Sequence, residues 1–172
     1  MKWKSRRTFV LAVALLMAVL VIPAFWGDVA ADSNAKSNLV GTWRLHMTPK
    51  DCQTGVASPP SFDFRVTFTR GGTLTEVMNA PAFAPGQRTT GLGVWSREHR
   101  NTYKSVSEAF ILADVNPVIR RGSQRLAWDI EVDGNQATIE SLGQFLDING
   151  NVLANTCATA TATRFEEPQD ED

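Results

Sequence analysis

Residues 39–47, LVGTWRLHM, decide the fold, because this short β-run carries a Gly-x-Trp triplet from Gly41 to Trp43. Near the other end of the chain, the last strand-like run closes with Arg164. We take the Trp43 indole and the Arg164 guanidinium as partners, since a cation over the face of an indole is an attractive pair. The pairing predicts that the last strand lies beside the first. Gly41, Trp43 and Arg164 would then form the structural closure at the floor of a small barrel.

Between these two runs, apolar and polar residues alternate with the period of a β-strand. The clearest example is residues 61–70, where phenylalanines at 62, 64 and 68 alternate with polar side chains. The predicted strands cover residues 39–48, 61–70, 73–78, 90–97, 102–113, 124–132, 136–146 and 152–165. Most are joined by tight-turn signals such as Gly71-Gly72. The pattern predicts an all-β fold, a single antiparallel up-and-down β-barrel of about eight strands. A Greek-key sandwich is the alternative, but it needs long connections between its sheets.

The first 31 residues have the pattern of a cleavable N-terminal signal helix. Four basic residues precede an apolar run over residues 9–22, and the small residues 29–31 form a cleavage signal after Ala31. A retained membrane anchor is the alternative, although the apolar run is shorter than the roughly 18–20 residues that a span needs. Arg6-Arg7 also fits a twin-arginine signal, so the export route stays open. Both routes predict a periplasmic or extracellular protein with no membrane segment in its mature form.

The expected domain organisation is a signal peptide (1–31), a polar lead-in (32–38), a β-barrel (39–166) and a disordered acidic tail (167–172). Cleavage leaves 141 residues, enough for one core. These carry 13 basic and 17 acidic residues, for a formal charge of −4. A nearly neutral body with an acidic tail argues against nucleic acid as a partner. The sequence leaves monomer and homodimer open.

Two cysteines, Cys52 and Cys157, are the only ones in the chain. If Trp43 faces Arg164 on antiparallel strands, opposing residue numbers add up to about 207, and those of the two cysteines add up to 209. The pairing that closes the barrel therefore brings the sulfurs together, and an exported protein favours their oxidation. A disulfide across so long a loop stabilises by roughly 3–5 kcal/mol. Two free thiols are the alternative.

The Gly41-Thr42-Trp43 triplet, the meander of strands and the late Arg164 together resemble the lipocalin and calycin superfamily. Runs such as RGGTLTE and GLGVW are similar to those of bacterial lipocalin-like exported proteins. The resemblance implies an up-and-down barrel whose tryptophan sits at the closed end beneath the arginine. It covers most of residues 39–166, although the long C-terminal helix of classical lipocalins has no counterpart here.

An inward Trp43 puts Leu45 and Met47 inside, and an inward Arg164 puts alanines 158, 160 and 162 inside. A wall of small residues opposite aromatic ones predicts a cavity for a small apolar or amphipathic molecule. A solidly packed core is the alternative, because alanines can also offset bulky neighbours. The predicted ligand-binding residues are Phe62, Phe64, Phe68, Trp95, Glu108, Phe110, Trp128 and Ile130.

The sequence leaves open whether the Glu76 and Glu108 carboxylates face the barrel interior, and what role the loop 79–87 has. Glu108 shares a strand face with Lys104, and Glu76 shares one with Leu74 and Met78. An inward carboxylate needs a partner or a neutralised state, so a buried Glu108 beside Lys104, Tyr103 or a loop arginine would be a candidate ligand contact. The favoured expectation is that both carboxylates are solvated at a wet barrel end. The apolar loop 79–87 is expected to act as a lid or portal, or as a plug.

The sequence predicts no catalytic residues, no metal site and no cofactor. His46 and His99 lie on an outer face and in a turn, and residues 147–151, DINGN, read as a turn rather than a calcium loop. The first hypothesis is therefore an exported, non-catalytic ligand-binding barrel. An isomerase or cyclase similar to allene oxide cyclase, with Glu76 or Glu108 as acid or base, is the second. A solidly packed envelope protein without a ligand is the third.

Overall fold

The computed structural model describes residues 38–113 and 119–166 of this chain. The predicted signal helix, all but the last residue of the polar lead-in, and the acidic tail lie outside these residues. The eight strands are β1 Gly41–Lys50, β2 Phe62–Phe68, β3 Thr73–Asn79, β4 Gly91–Arg97, β5 Thr102–Leu112, β6 Arg120–Asp133, β7 Gln136–Asp147 and β8 Val152–Arg164. In the part of the chain that the structure describes, no helix is long and apolar enough to cross a membrane.

The strands form one closed antiparallel barrel in the order β1 to β8. Each strand pairs with the next along the chain, and β8 returns to pair with β1. Trp43 lies opposite Arg164 and Lys50 lies opposite Cys157. The up-and-down barrel and its register of closure are therefore confirmed, and the sandwich alternative is wrong.

Strand β6 begins at Arg120, four residues earlier than predicted. The sequence pattern ended the preceding loop at Gly122, because Arg120, Arg121 and Gly122 do not alternate as an apolar strand does. Their backbone nevertheless pairs: Arg120 lies opposite Leu112, and Gly122 lies opposite both Ile111 and Asp147. Backbone pairing with β5 and β7 therefore makes these residues part of a strand, although their local propensity does not predict one.

The two ends of the barrel differ in their connections. At the end that holds Trp43 and Arg164, which we call the closed end, short turns join β2 to β3, β4 to β5 and β6 to β7. At the opposite end, which we call the open end, residues 51–61 and 80–90 form the two long described loops. The inward faces of the strands form one core between the two ends, from Trp43 at one end to Met47 and Ala158 near the other.

Candidate functional site

The closed end is sealed by the three residues that the sequence singled out. The Arg164 guanidinium lies 4.2 Å from the Trp43 ring centroid, and the indole N–H donates to the Leu39 carbonyl over 2.9 Å. The guanidinium also donates to the carbonyls of Val40 and Asn38. Gly41 has φ +132°, and a Cβ there would come within 2.7 Å of the guanidinium. Burial lowers the pKa of Arg164, and these carbonyls satisfy the charged group.

Aromatic rings fill the space directly above this seal. Trp95 packs edge-on against Phe68, at 6.2 Å, and against Tyr103, at 5.7 Å. Its indole N–H donates to the carbonyl of Thr69, in the β2–β3 turn, and to that of Thr73, the first residue of β3. Phe68, Trp95 and Ile130, predicted as ligand-binding residues, thus belong to a packed floor.

The middle of the barrel is also packed. Phe64 and Trp128 meet edge to face with ring centroids 5.3 Å apart, and both are buried. Ala160 and Ala162 lie opposite Met47 and Leu45 across the β1–β8 ladder and belong to the same core. At this level the alanines do offset bulky neighbours, as the packed alternative proposed.

A cavity of about 180 Å³ lies at the open end. Phe62 is the one predicted ligand-binding residue that lines it. Most of the wall is apolar, and Gln124, Ser141 and Thr156 supply its polar side chains. The lining residues are Met47, Pro49, Phe62, Met78, Ala80, Ala82, Phe83, Gln124, Leu126, Ser141, Phe145, Thr156, Cys157 and Ala158. The barrel interior is thus packed towards the closed end and holds a cavity at the open end.

The loop over residues 80–90, which we call the lid loop, contributes Ala80, Ala82 and Phe83 to the wall of this cavity. Ala80 is buried, and the Phe83 ring lies 6.1 Å from the ring of Phe145. Backbone hydrogen bonds tie the second half of the loop to β5, from Thr89 N–H to the Phe110 carbonyl and from Leu112 N–H to the Gln87 carbonyl. The apolar loop that the sequence identified therefore does cover the barrel end.

A buried ion pair joins the lid loop to the barrel interior. Arg88 Nη2 lies 2.5 Å from Glu76 Oε1, and Nη1 donates to Oε2 over 3.1 Å. The Arg88 Nε–H donates to Gln124 Oε1 over 2.7 Å. The side chains of Glu76 and Arg88 are 0% and 4% exposed. The expectation that Glu76 is solvated is wrong, because the carboxylate is buried and its charge is paired with Arg88.

A glycine makes room for this carboxylate. Gly91 lies opposite Glu76 in the β3–β4 ladder. A Cβ at Gly91 would come within 1.8 Å of Glu76 Oε1. Strand β4 contains two glycines, Gly91 and Gly93. The missing side chain of Gly91 leaves the space that the Glu76 carboxylate occupies.

Glu108 and Phe110, also predicted to bind ligand, lie on the outer face of β5. Arg125 Nη2 pairs with the Glu108 carboxylate over 3.0 Å, and the Arg120 guanidinium lies 4.5 Å from the Phe110 ring centroid. A hydrogen bond from Ser123, aided by Arg125 and opposed by partial desolvation, holds the pKa of Glu108 below its usual range. Their placement inside the barrel was wrong, because the inward positions of β5 are Tyr103 and every second residue after it.

The Cys52–Cys157 disulfide is present, with the Cα atoms 5.2 Å apart and a sequence separation of 105. It fastens the loop after β1 to β8 beside the cavity, which Cys157 helps to line. The bond is consistent with an oxidising, exported location.

Sequence reasoning missed much of the cavity wall and the Arg88 pairing. Met78 and Leu126 could have been found from strand alternation, since they share inward faces with Leu74 and Trp128. Arg88 carries no such signal, because a loop residue has no fixed face. Within the described ranges no cluster of three or more metal-ligating side chains occurs, and Asp147 of the DINGN turn accepts hydrogen bonds from Asn149 and Asn151.

In comparisons with known proteins, no family model and no curated protein matches this chain.

Proposed function

We propose that this protein is an exported, lipocalin-like barrel that binds one small apolar or amphipathic molecule at its open end, without catalysis. The observation that carries the proposal is the apolar cavity of about 180 Å³ beneath the lid loop. A dry apolar cavity of about 150 Å³ is large enough for benzene. By this comparison the volume suits a ligand of about seven non-hydrogen atoms.

The polar groups around the cavity favour a neutral ligand. The interior charges of Glu76 and Arg88 are already paired with each other. A ligand charge would enter the barrel without a partner, and burying an unpaired ion is costly. Gln124 and Ser141 can each hydrogen-bond a hydroxyl or carbonyl of the ligand. A short alcohol, ketone or phenol fits this combination of an apolar body and one polar end.

The same geometry argues against an isomerase or cyclase that uses these carboxylates. Both oxygens of Glu76 accept hydrogen bonds from Arg88, and Glu108 lies on the outer face. Neither presents a free carboxylate to the cavity, as a general acid or base would need to do.

Calorimetric titration of the mature chain with 1-hexanol, hexanoate and hexylamine tests the proposal. We expect hexanol to bind at least tenfold more tightly than either charged analogue. Ala158→Leu places a larger side chain into the cavity and should weaken hexanol binding at least tenfold. Ala57→Leu, the same change in an exposed loop, should leave it unchanged. Absence of hexanol binding, or equal affinities for the two variants, would contradict a ligand in this cavity.

A further inference from the structure

A row of apolar side chains crosses the outer face of the barrel, perpendicular to the strands. The ladders place Val94 beside Val106, Val106 beside Ala127, and Ala127 beside Leu142. We call these four residues the outer stripe. Val94, Val106 and Leu142 are 56%, 39% and 46% exposed. Single exposed apolar residues are common on protein surfaces, whereas large contiguous apolar patches rimmed by polar residues mark interaction sites.

Four charges surround the centre of the outer stripe. On its closed-end side Lys104 lies opposite Asp129, and on its open-end side Glu108 lies opposite Arg125. Each charge is two residues from the stripe along its own strand, about 7 Å away. The signs alternate along β5, along β6 and across the pair, so the four residues form a checkerboard, which we call the charge square.

We propose that the outer stripe and the charge square form a two-fold interface with a second copy of this chain. A two-fold axis lying in the interface turns this face over onto its copy. If the axis runs along or across the strands, the stripe of one copy covers the stripe of the other. Each charge of the square then meets a charge of opposite sign. Strands of the two copies run alongside each other, as in aligned sheet packing.

The balance of charges identifies the partner as a second copy. A surface of one sign would suit a partner of the opposite sign, but this square is neutral and its own overturned image complements it. The stripe spans four strands, roughly 15 Å at about 4.8 Å per strand. Such a contact is small beside those of obligate dimers, so we expect a reversible, concentration-dependent dimer. The barrel interior takes no part in it, and the inference is independent of ligand binding.

Sedimentation of the mature chain over a range of concentrations tests the apolar part. We expect a monomer–dimer equilibrium. Val106→Asp places a charge at the centre of the stripe and should raise the dimer dissociation constant at least tenfold. Val152→Asp is the matched control, because Val152 is similarly exposed at the open end and outside the stripe. Thermal melts establish that both variants fold. A wild-type chain that stays monomeric at 0.5 mM, or equal dissociation constants for the two variants, would overturn the proposal.

Charge reversal tests the square separately. Lys104→Glu alone should weaken the dimer about tenfold at low salt, because it sets like charges against each other. The fourfold variant Lys104→Glu, Glu108→Lys, Arg125→Glu and Asp129→Lys inverts every sign and should restore the wild-type dissociation constant. Mixed with the wild type, this inverted chain should form only homodimers, as measured by energy transfer between labelled chains. Free formation of mixed dimers would show that the square does not specify the partner.

Discussion

The closed and open ends of the barrel are built from the same eight strands but differ in what they enclose. At the closed end, Phe68 and Tyr103 pack against Trp95, and the Arg164 guanidinium covers the Trp43 ring. At the open end, long loops surround a cavity, a buried ion pair and a glycine beside it. The difference shows how one barrel can concentrate its stabilising contacts at one end. The other end is then free to hold space and charge that a fully packed core would not tolerate.

The largest expected effect comes from truncating Trp43 at the closed end, with the truncation of Phe62 at the open end as its comparison. Trp43→Ala should lower the free energy of unfolding by about 3–5 kcal/mol, because it leaves a void beneath Arg164 in a packed floor. Phe62→Ala should cost about 1–2 kcal/mol, since Phe62 is only half-buried and already borders empty space. Urea unfolding measures both. Equal losses for the two variants would mean that the ends are packed alike, and a loss below about 1 kcal/mol for Trp43→Ala would place the indole outside the core.

Removing one partner of the buried ion pair should have the next largest effect. Arg88→Met leaves the Glu76 carboxylate buried without its partner and should cost about 3 kcal/mol at pH 7. The double variant Glu76→Leu and Arg88→Met removes both charges, and should recover most of this loss. Urea unfolding of the two variants in parallel gives the comparison. If the single and double variants are equally stable, the loss in Arg88→Met does not come from a Glu76 carboxylate left buried without its partner.

The smallest effect is expected on the outer face of the open half, at Glu108. Its pKa is lowered by the Ser123 hydrogen bond first and by Arg125, so the folded state favours the carboxylate. The stabilisation is therefore present above the unfolded pKa of about 4.3, and is lost as pH falls through the lower folded value. Glu108→Gln should cost less than about 1 kcal/mol at pH 7, because the pair is solvent-screened.

Unfolding free energies of the wild type and Glu108→Gln, measured at pH 7, 5 and 3, check the sign. The difference between the two proteins should shrink from pH 5 to pH 3. A difference that grows as the pH falls would mean that the folded state favours the protonated carboxyl group.

The sequence determined the barrel, its closure and its disulfide. Strand alternation has a period of two, so it predicts both the strands and the residues that share each face. The antiparallel register then links distant residues by simple addition, which is why Trp43 with Arg164 and Cys52 with Cys157 could both be predicted. Export, the lipocalin resemblance and ligand binding remain predictions.

Only the tertiary structure decided which residues lie at the cavity and which pack the floor. Alternation tells the two faces of a strand apart, but it does not tell which face is inward, and so Glu108 and Phe110 were placed inside. Alternation also does not show where a residue lies along the barrel axis. Phe68 and Trp95, near the closed end, therefore could not be distinguished from Phe62 at the cavity. The Glu76–Arg88 contact needs a loop folded back over the strands. Such a contact depends on the three-dimensional path of the chain, which no local periodicity records.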